Sequence, residues 1–275
     1  MTWRVLRIAG FAAACLFLTA LTQIGGLALV LGWLVVRLLP DTWRGASMVT
    51  LASLALYALM TVALVPPLAK VGGREALPCS GTDAAPYRAA TPLLCILNRA
   101  YVRPPVKAVL AGLSLAVTKE FPGTQTVFLD GNFPFFDGFP LLPHLSHQDG
   151  RKLDIAFYYQ DAGGRYEAGR LKSPIGYWAF EHRQGDETDA CPESRGPTSR
   201  WDMAAIQSWF PPLVLEPNRT RAALIWLSGR GTALGVEKIF IEPYLAARWD
   251  VTSSVLRFQG CRAARHDDHI HFQVK

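Results

Sequence analysis

Two short stretches of this chain concentrate groups that bind metals. His144-Leu145-Ser146-His147 runs up to Asp154, and His266-Asp267-Asp268-His269-Ile270-His271 lies near the C-terminal end; together they hold five of the six histidines. Imidazole nitrogen and carboxylate oxygen are ordinary zinc ligands, and a hydrolytic zinc site uses three of them and leaves a position for water. Such an ion lowers the pKa of its water to about 7 and polarises a scissile carbonyl. A base that is not a ligand then takes the water's proton. The two clusters supply three ligands and a base with residues to spare, so the expected cofactor is Zn2+. His182 stands alone and reads as structural or surface.

Strands must carry these groups. In His269-Ile270-His271-Phe272-Gln273-Val274 apolar residues alternate with polar ones, which predicts a strand with Ile270, Phe272 and Val274 on the core face. His269, His271 and Gln273 then share the other face. Residues 153–159 also read as a strand, with Leu153, Ile155 and Phe157 on one side and Asp154 on the other. Further expectations are a helix from Pro104-Pro105 to near Glu120, short strands over 126–129 and 236–241, and helix or buried strand over 222–227. We also expect helices over 201–210, with Ser199 as N-cap, and over 246–255. The polar stretch 183–200 reads as a loop beside the site.

The front of the chain is different. Residues 8–36 contain no charged side chain, and 45–65 form a second uncharged run that ends at Pro66-Pro67. A bilayer core about 30 Å thick needs about 20 helical residues, so 1–67 reads as a two-helix transmembrane hairpin in a lipid bilayer. Residues 68–104, rich in Gly, Pro, Ala and Ser, read as linker and lead-in, and 105–275 as the domain that carries the site. Orientation is undecided, because Arg4, Arg7, Arg37, Arg44, Lys70 and Arg74 nearly balance across the spans. The net charge of +6 is spread out, with no Lys/Arg-rich run, so nucleic acid is not an expected partner. Cys79, Cys95, Cys191 and Cys261 allow three pairings; we expect Cys79 with Cys95 and Cys191 with Cys261, in an oxidising compartment, against the alternative of four free buried thiols.

The pattern His144-x-x-His147-x-x-Gly150-x-x-x-Asp154, followed by His266-Asp267-Asp268-His269-x-His271, resembles that of the penicillin-insensitive murein endopeptidases. These belong to the zinc peptidases that include the lysostaphin, D-Ala-D-Ala peptidase and hedgehog-type domains. The likeness covers roughly residues 105–275, and Lys152 stands where the family often has a second acid. It implies an α+β fold with an antiparallel sheet under the metal. It also implies zinc on His147, Asp154 and His271, with His269 as base. His144, His266, Ser146 and Gln148 would position water or substrate, and Gly150 would turn Asp154 back toward His147. The implied activity is hydrolysis of peptide cross-links in peptidoglycan by a domain held outside the bacterial cytoplasmic membrane, with peptidoglycan stems as partners. Alternatives are a zinc D-Ala carboxypeptidase and a non-catalytic wall-binding or sensor module.

Overall fold

The computed structural model describes residues 3–192 and 198–275, so 193–197 of the expected 183–200 loop lie outside the described residues. The chain is α+β. It begins with helices α1 (Trp3–Thr22), α2 (Gly25–Arg37) and α3 (Ala46–Leu59), the last continuing through a π turn (Met60–Leu64) into α4 (Val65–Val71). Two helices, Trp3–Thr22 and Ala46–Val71, are long and apolar enough to cross a membrane, and only 6% of the apolar window of each is buried.

The expected hairpin is corrected in two places. The first run is not one helix. Gln23 takes a left-handed backbone (φ 69°), and its side-chain amide bonds the loop at Phe135, accepting from the Phe135 N–H at 2.8 Å and donating to the Phe135 carbonyl at 3.3 Å. α2 then folds back along α1, which brings Phe11 and Trp33 to a ring separation of 6.0 Å. α3 returns antiparallel to α2, so close that a Cβ on Gly32 would lie 2.2 Å from Ser53 Oγ; small residues permit this approach. Three antiparallel segments thus replace two. Pro66-Pro67 does not end the second run either. Both prolines fall in the first turn of α4, where a missing N–H costs little, and the π turn ahead widens the helix to admit them.

Residues 68–104 are not a free tether. They hold β1 (Glu75–Ala76), β2 (Tyr87–Ala89), α5 (Pro92–Ile96) and β3 (Tyr101–Val102). α6 (Pro104–Glu120) and β4 (Thr126–Phe128) follow, then β5 (Lys152–Ala156), β6 (Tyr159–Gln160), α7 (Ala204–Gln207) and β7 (Val214–Leu215). The last elements are α8 (Pro217–Ser228), α9 (Arg230–Ala233), β8 (Val236–Phe240), α10 (Pro243–Arg248), β9 (Leu256–Arg257) and β10 (His269–Val274). The helices expected over 201–210 and 246–255 are shorter than their sequence suggests. α7 starts after left-handed Met203, and Ser199 caps nothing; its N–H donates instead to the Arg262 carbonyl.

The main sheet runs β2-β4-β5-β10-β8-β9. Its four inner strands are antiparallel as expected, but the edge pairs β2–β4 and β8–β9 are parallel, so the sheet is mixed. Ile270, Phe272 and Val274 of β10 join Leu153 and Ile155 of β5, Val109 and Leu113 of α6, and Leu224 and Leu227 of α8 in one core. Each large apolar side chain so buried contributes about 2 kcal/mol. That pins the register, and with it the polar face.

Candidate metal centre

Register brings the first two groups together. β10 and β5 pair so that His271 faces Asp154 directly and His269 faces Ala156. Nδ1 of His271 lies 2.8 Å from Oδ1 of Asp154. The third group comes from the loop between β4 and β5. His147 sends Nε2 to within 3.1 Å of His271 Nδ1 and 3.3 Å of the same Asp154 oxygen. A four-coordinate ion with bonds of about 2.0–2.1 Å separates its ligand atoms by about 3.3 Å. The three atoms therefore stand nearly as the edges of such a polyhedron require, and all three residues are buried.

Neighbours fix how each ligand points. His147 Nδ1–H donates to the Gly131 carbonyl at 2.8 Å, which leaves Nε2 with its lone pair toward the site. The side-chain amide nitrogen of Gln273 stands 3.1 Å from His271 Nε2; for Nδ1 to serve as ligand atom, Nε2 carries the proton and this amide turns over to offer its oxygen. Tyr177 donates its hydroxyl to Oδ2 of Asp154 at 2.7 Å, so Oδ1 alone turns inward. Gly150 makes the turn between His147 and Asp154 with φ 76°. Its N–H donates to the side-chain oxygen of Asn132, whose amide donates to the Lys152 carbonyl.

Two of the three ligands are in the protonation state that metal binding needs; at His147 burial disfavours the charge but the Asp154 carboxylate prevails and raises its pKa, so an incoming ion would have to displace that proton. Burial works against ionised Asp154, yet the surrounding imidazoles of His147, His269 and His271 hold its carboxyl well below the usual range. Burial outweighs Asp154 at His271 and pushes it down to about 4, so it is neutral at pH 7. Burial, with His269 and His271 close by, also pushes His266 well down. His269 differs. Burial opposes its charge, but the carboxylates of Asp268 and Asp154 push it up to about 9. Its Nδ1 bonds Asp268, and its Nε2 lies 3.7 Å from Asp154 Oδ1 at the edge of the triad.

The remaining expected residues sort themselves by position. His144 bonds Asp130 at 2.6 Å and packs its ring 4.4 Å from that of Tyr177. His266 packs between Phe240 and His269. Both line a cavity of about 280 Å³ over the triad, with Ser146, Trp178 and Trp201. Gln148 does not line it; its backbone carbonyl accepts from the Gly138 N–H. A larger cavity of about 400 Å³ lies beyond Arg265, but its charges pair with one another, Arg200 with Glu242 and Arg265 with Asp267, and the triad lies outside it. Tyr177 and the Asp130–Arg99 pair escape sequence reasoning, because neither sits in a spaced motif. Asp268 was visible inside the motif without a role; its second oxygen accepts from the Trp178 N–H. Cys79 is bonded to Cys95, and Cys191 to Cys261. No protein-family model and no curated protein matches the chain.

Proposed function

We propose that this protein is a membrane-anchored zinc metallopeptidase that hydrolyses peptide cross-links of bacterial peptidoglycan. The observation that carries the reading is the convergence of His147 Nε2, Asp154 Oδ1 and His271 Nδ1 beneath a cavity, with His269 beside them and outside the ligand set. Two neutral imidazoles and one carboxylate are a donor set that zinc accepts. Zinc held there supplies a Lewis acid for the scissile carbonyl and water that is nucleophilic at neutral pH. A dication held by the triad would lower the pKa of His269 from its raised value, because like charge disfavours imidazolium, and would leave its Nε2 free to act as base. Its Nε2 then accepts the proton of the attacking water and passes it to the leaving amine. Asp268 holds Nδ1–H throughout, and the lone pair on Nε2 thereby stays aimed at the cavity. Tyr177, kept protonated by burial and by Asp154 and Asp130, holds the ligand carboxylate still.

The topology supports an outward-facing site. The α1–α2 turn rests on the globular part, so Arg4, Arg7, Arg37 and Arg44 gather at the opposite end of the helices. Excess arginine marks the cytoplasmic side.

Cleavage of purified cross-linked muropeptides tests the reading. A chelator abolishes it and added zinc restores it. His271→Ala loses metal and activity together, whereas His269→Ala keeps stoichiometric metal and loses about 10²–10⁴-fold in kcat. Cleavage that survives both chelation and His271→Ala defeats the assignment.

A further inference from the structure

α2 is 13 residues long, about 20 Å of helix, against a hydrocarbon core about 30 Å thick. One end of α2 carries Arg37; the other leaves the turn that rests on the globular part at Phe135. The missing apolar depth, about 10 Å by these lengths, therefore falls on the domain face beside that turn. The side chains there suit it. Phe136, next to Phe135, is 74% exposed, and Leu93 and Ile96 on α5 are 55% and 52% exposed. α5 is fastened to the membrane helix, because Tyr57 of α3 donates its hydroxyl to the Ile96 carbonyl at 2.5 Å.

Beside this rim opens a third cavity, of about 220 Å³, lined by Leu93, Leu94, Leu97, Ile175 and Tyr177. That is below the roughly 300 Å³ of a site for a whole drug-sized molecule, but it admits a chain. The polar groups at its base are already satisfied. Arg99 forks onto both oxygens of Asp130 and donates to the Leu142 carbonyl, and His144 takes the remaining side of Asp130. His144 and Tyr177 also line the cavity over the metal triad, so the two spaces share a wall.

We propose that the cavity between α5 and Tyr177 binds an alkyl chain of a membrane lipid. Resting on the hydrolase reading above, the substrate is then a peptide carried on a lipid at the bilayer surface, presented to the metal across His144. The occupant enters from the leaflet in which Leu93, Ile96 and Phe136 lie.

A photoreactive benzophenone side chain placed at Leu93 of the full-length protein in phospholipid vesicles tests the site, with the same group at exposed Leu234 as control and at Ile175 as a second position inside the cavity. Mass spectrometry should find at least about tenfold more lipid adduct at Leu93 and Ile175 than at Leu234, the gain from seating two methylenes out of water. Equal yields at all three positions overturn the proposal. The wild-type protein is then given one peptide in two forms, free and tethered to vesicle lipid. Faster cleavage of the tethered form supports the substrate class, and equal rates overturn it. Strong adducts without cleavage of either peptide sink the hydrolase reading and leave the lipid site standing.

Discussion

At the scale of single residues, the centre depends on groups that touch no ligand directly. Asp130 is the clearest. It is buried, forked by Arg99 at 2.7 Å to each oxygen, and bonded to His144. Burial disfavours its charge, but Arg99 and His144 prevail and lower its pKa from 3.8 to about 2. A folded-state pKa below the unfolded one gives stability that is present above the unfolded value and lost as pH falls through the folded one. The shift corresponds to about 2 kcal/mol, present above about pH 4 and gone near pH 2. Thermal unfolding of the detergent-solubilised protein should therefore steepen its fall in stability across this window. Asp130→Asn should flatten that slope and cost about 3–5 kcal/mol at neutral pH, because Arg99 is left buried without its counter-charge. An unchanged acid profile in the variant would show that the pair does not set it.

At the scale of elements, legibility followed period and range. β10 was readable because its alternation is strict and its apolar face is anchored by side chains that need no partner to be recognised. Asp154 was readable on β5 for the same reason. The break in the first apolar run was not, since uncharged residues show no period when apolar side chains cover every face; Gln23 alone marks it. β2 and α5 hid inside Gly- and Pro-rich sequence because elements of three and five residues are held by distant partners, here β4 and Tyr57. Tyr177 meets Asp154 from a loop 23 residues away, a contact no local pattern announces. Gly150 shows how one turn serves the site. A Cβ at its positive φ would meet Arg103 Cγ at 3.0 Å and Arg74 Nε at 3.1 Å, both held by Asp137 and neighbouring carbonyls. Gly150→Ala should cost about 1–2 kcal/mol of strain alone. If the triad holds zinc as proposed, it should also loosen the ion by about tenfold in a chelator competition, since a shift of this size at the turn is enough for that factor. Full retention of affinity would mean that the turn does not place Asp154.

At the scale of the whole molecule, the question is which compartment the metal centre meets. With two spans the basic residues nearly cancel; with three antiparallel segments they do not. Phe11 opposite Trp33 sets Arg7 level with Arg37, whose guanidinium lies 4.8 Å from the centroid of the Trp33 ring. Arg4 and Arg44 belong to the same end. At the other end, Arg74 is buried against the Phe133 and Phe135 carbonyls and Asp137, so it is no free surface charge. The disulfides Cys79–Cys95 and Cys191–Cys261 give independent support, since such bonds persist in oxidising compartments. Alkaline phosphatase fused after Lys275 should accordingly be active and a fluorescent protein fused there dark. Replacing Arg4, Arg7, Arg37 and Arg44 together by serine should give mixed orientation, because the charge that would hold this end in the cytoplasm on the proposed topology is removed while the apolar segments remain. A reporter active only in the cytoplasm would put the centre on the side where neither cross-linked peptidoglycan nor the outer leaflet is in reach, and would remove the proposed substrate while leaving the metal site intact.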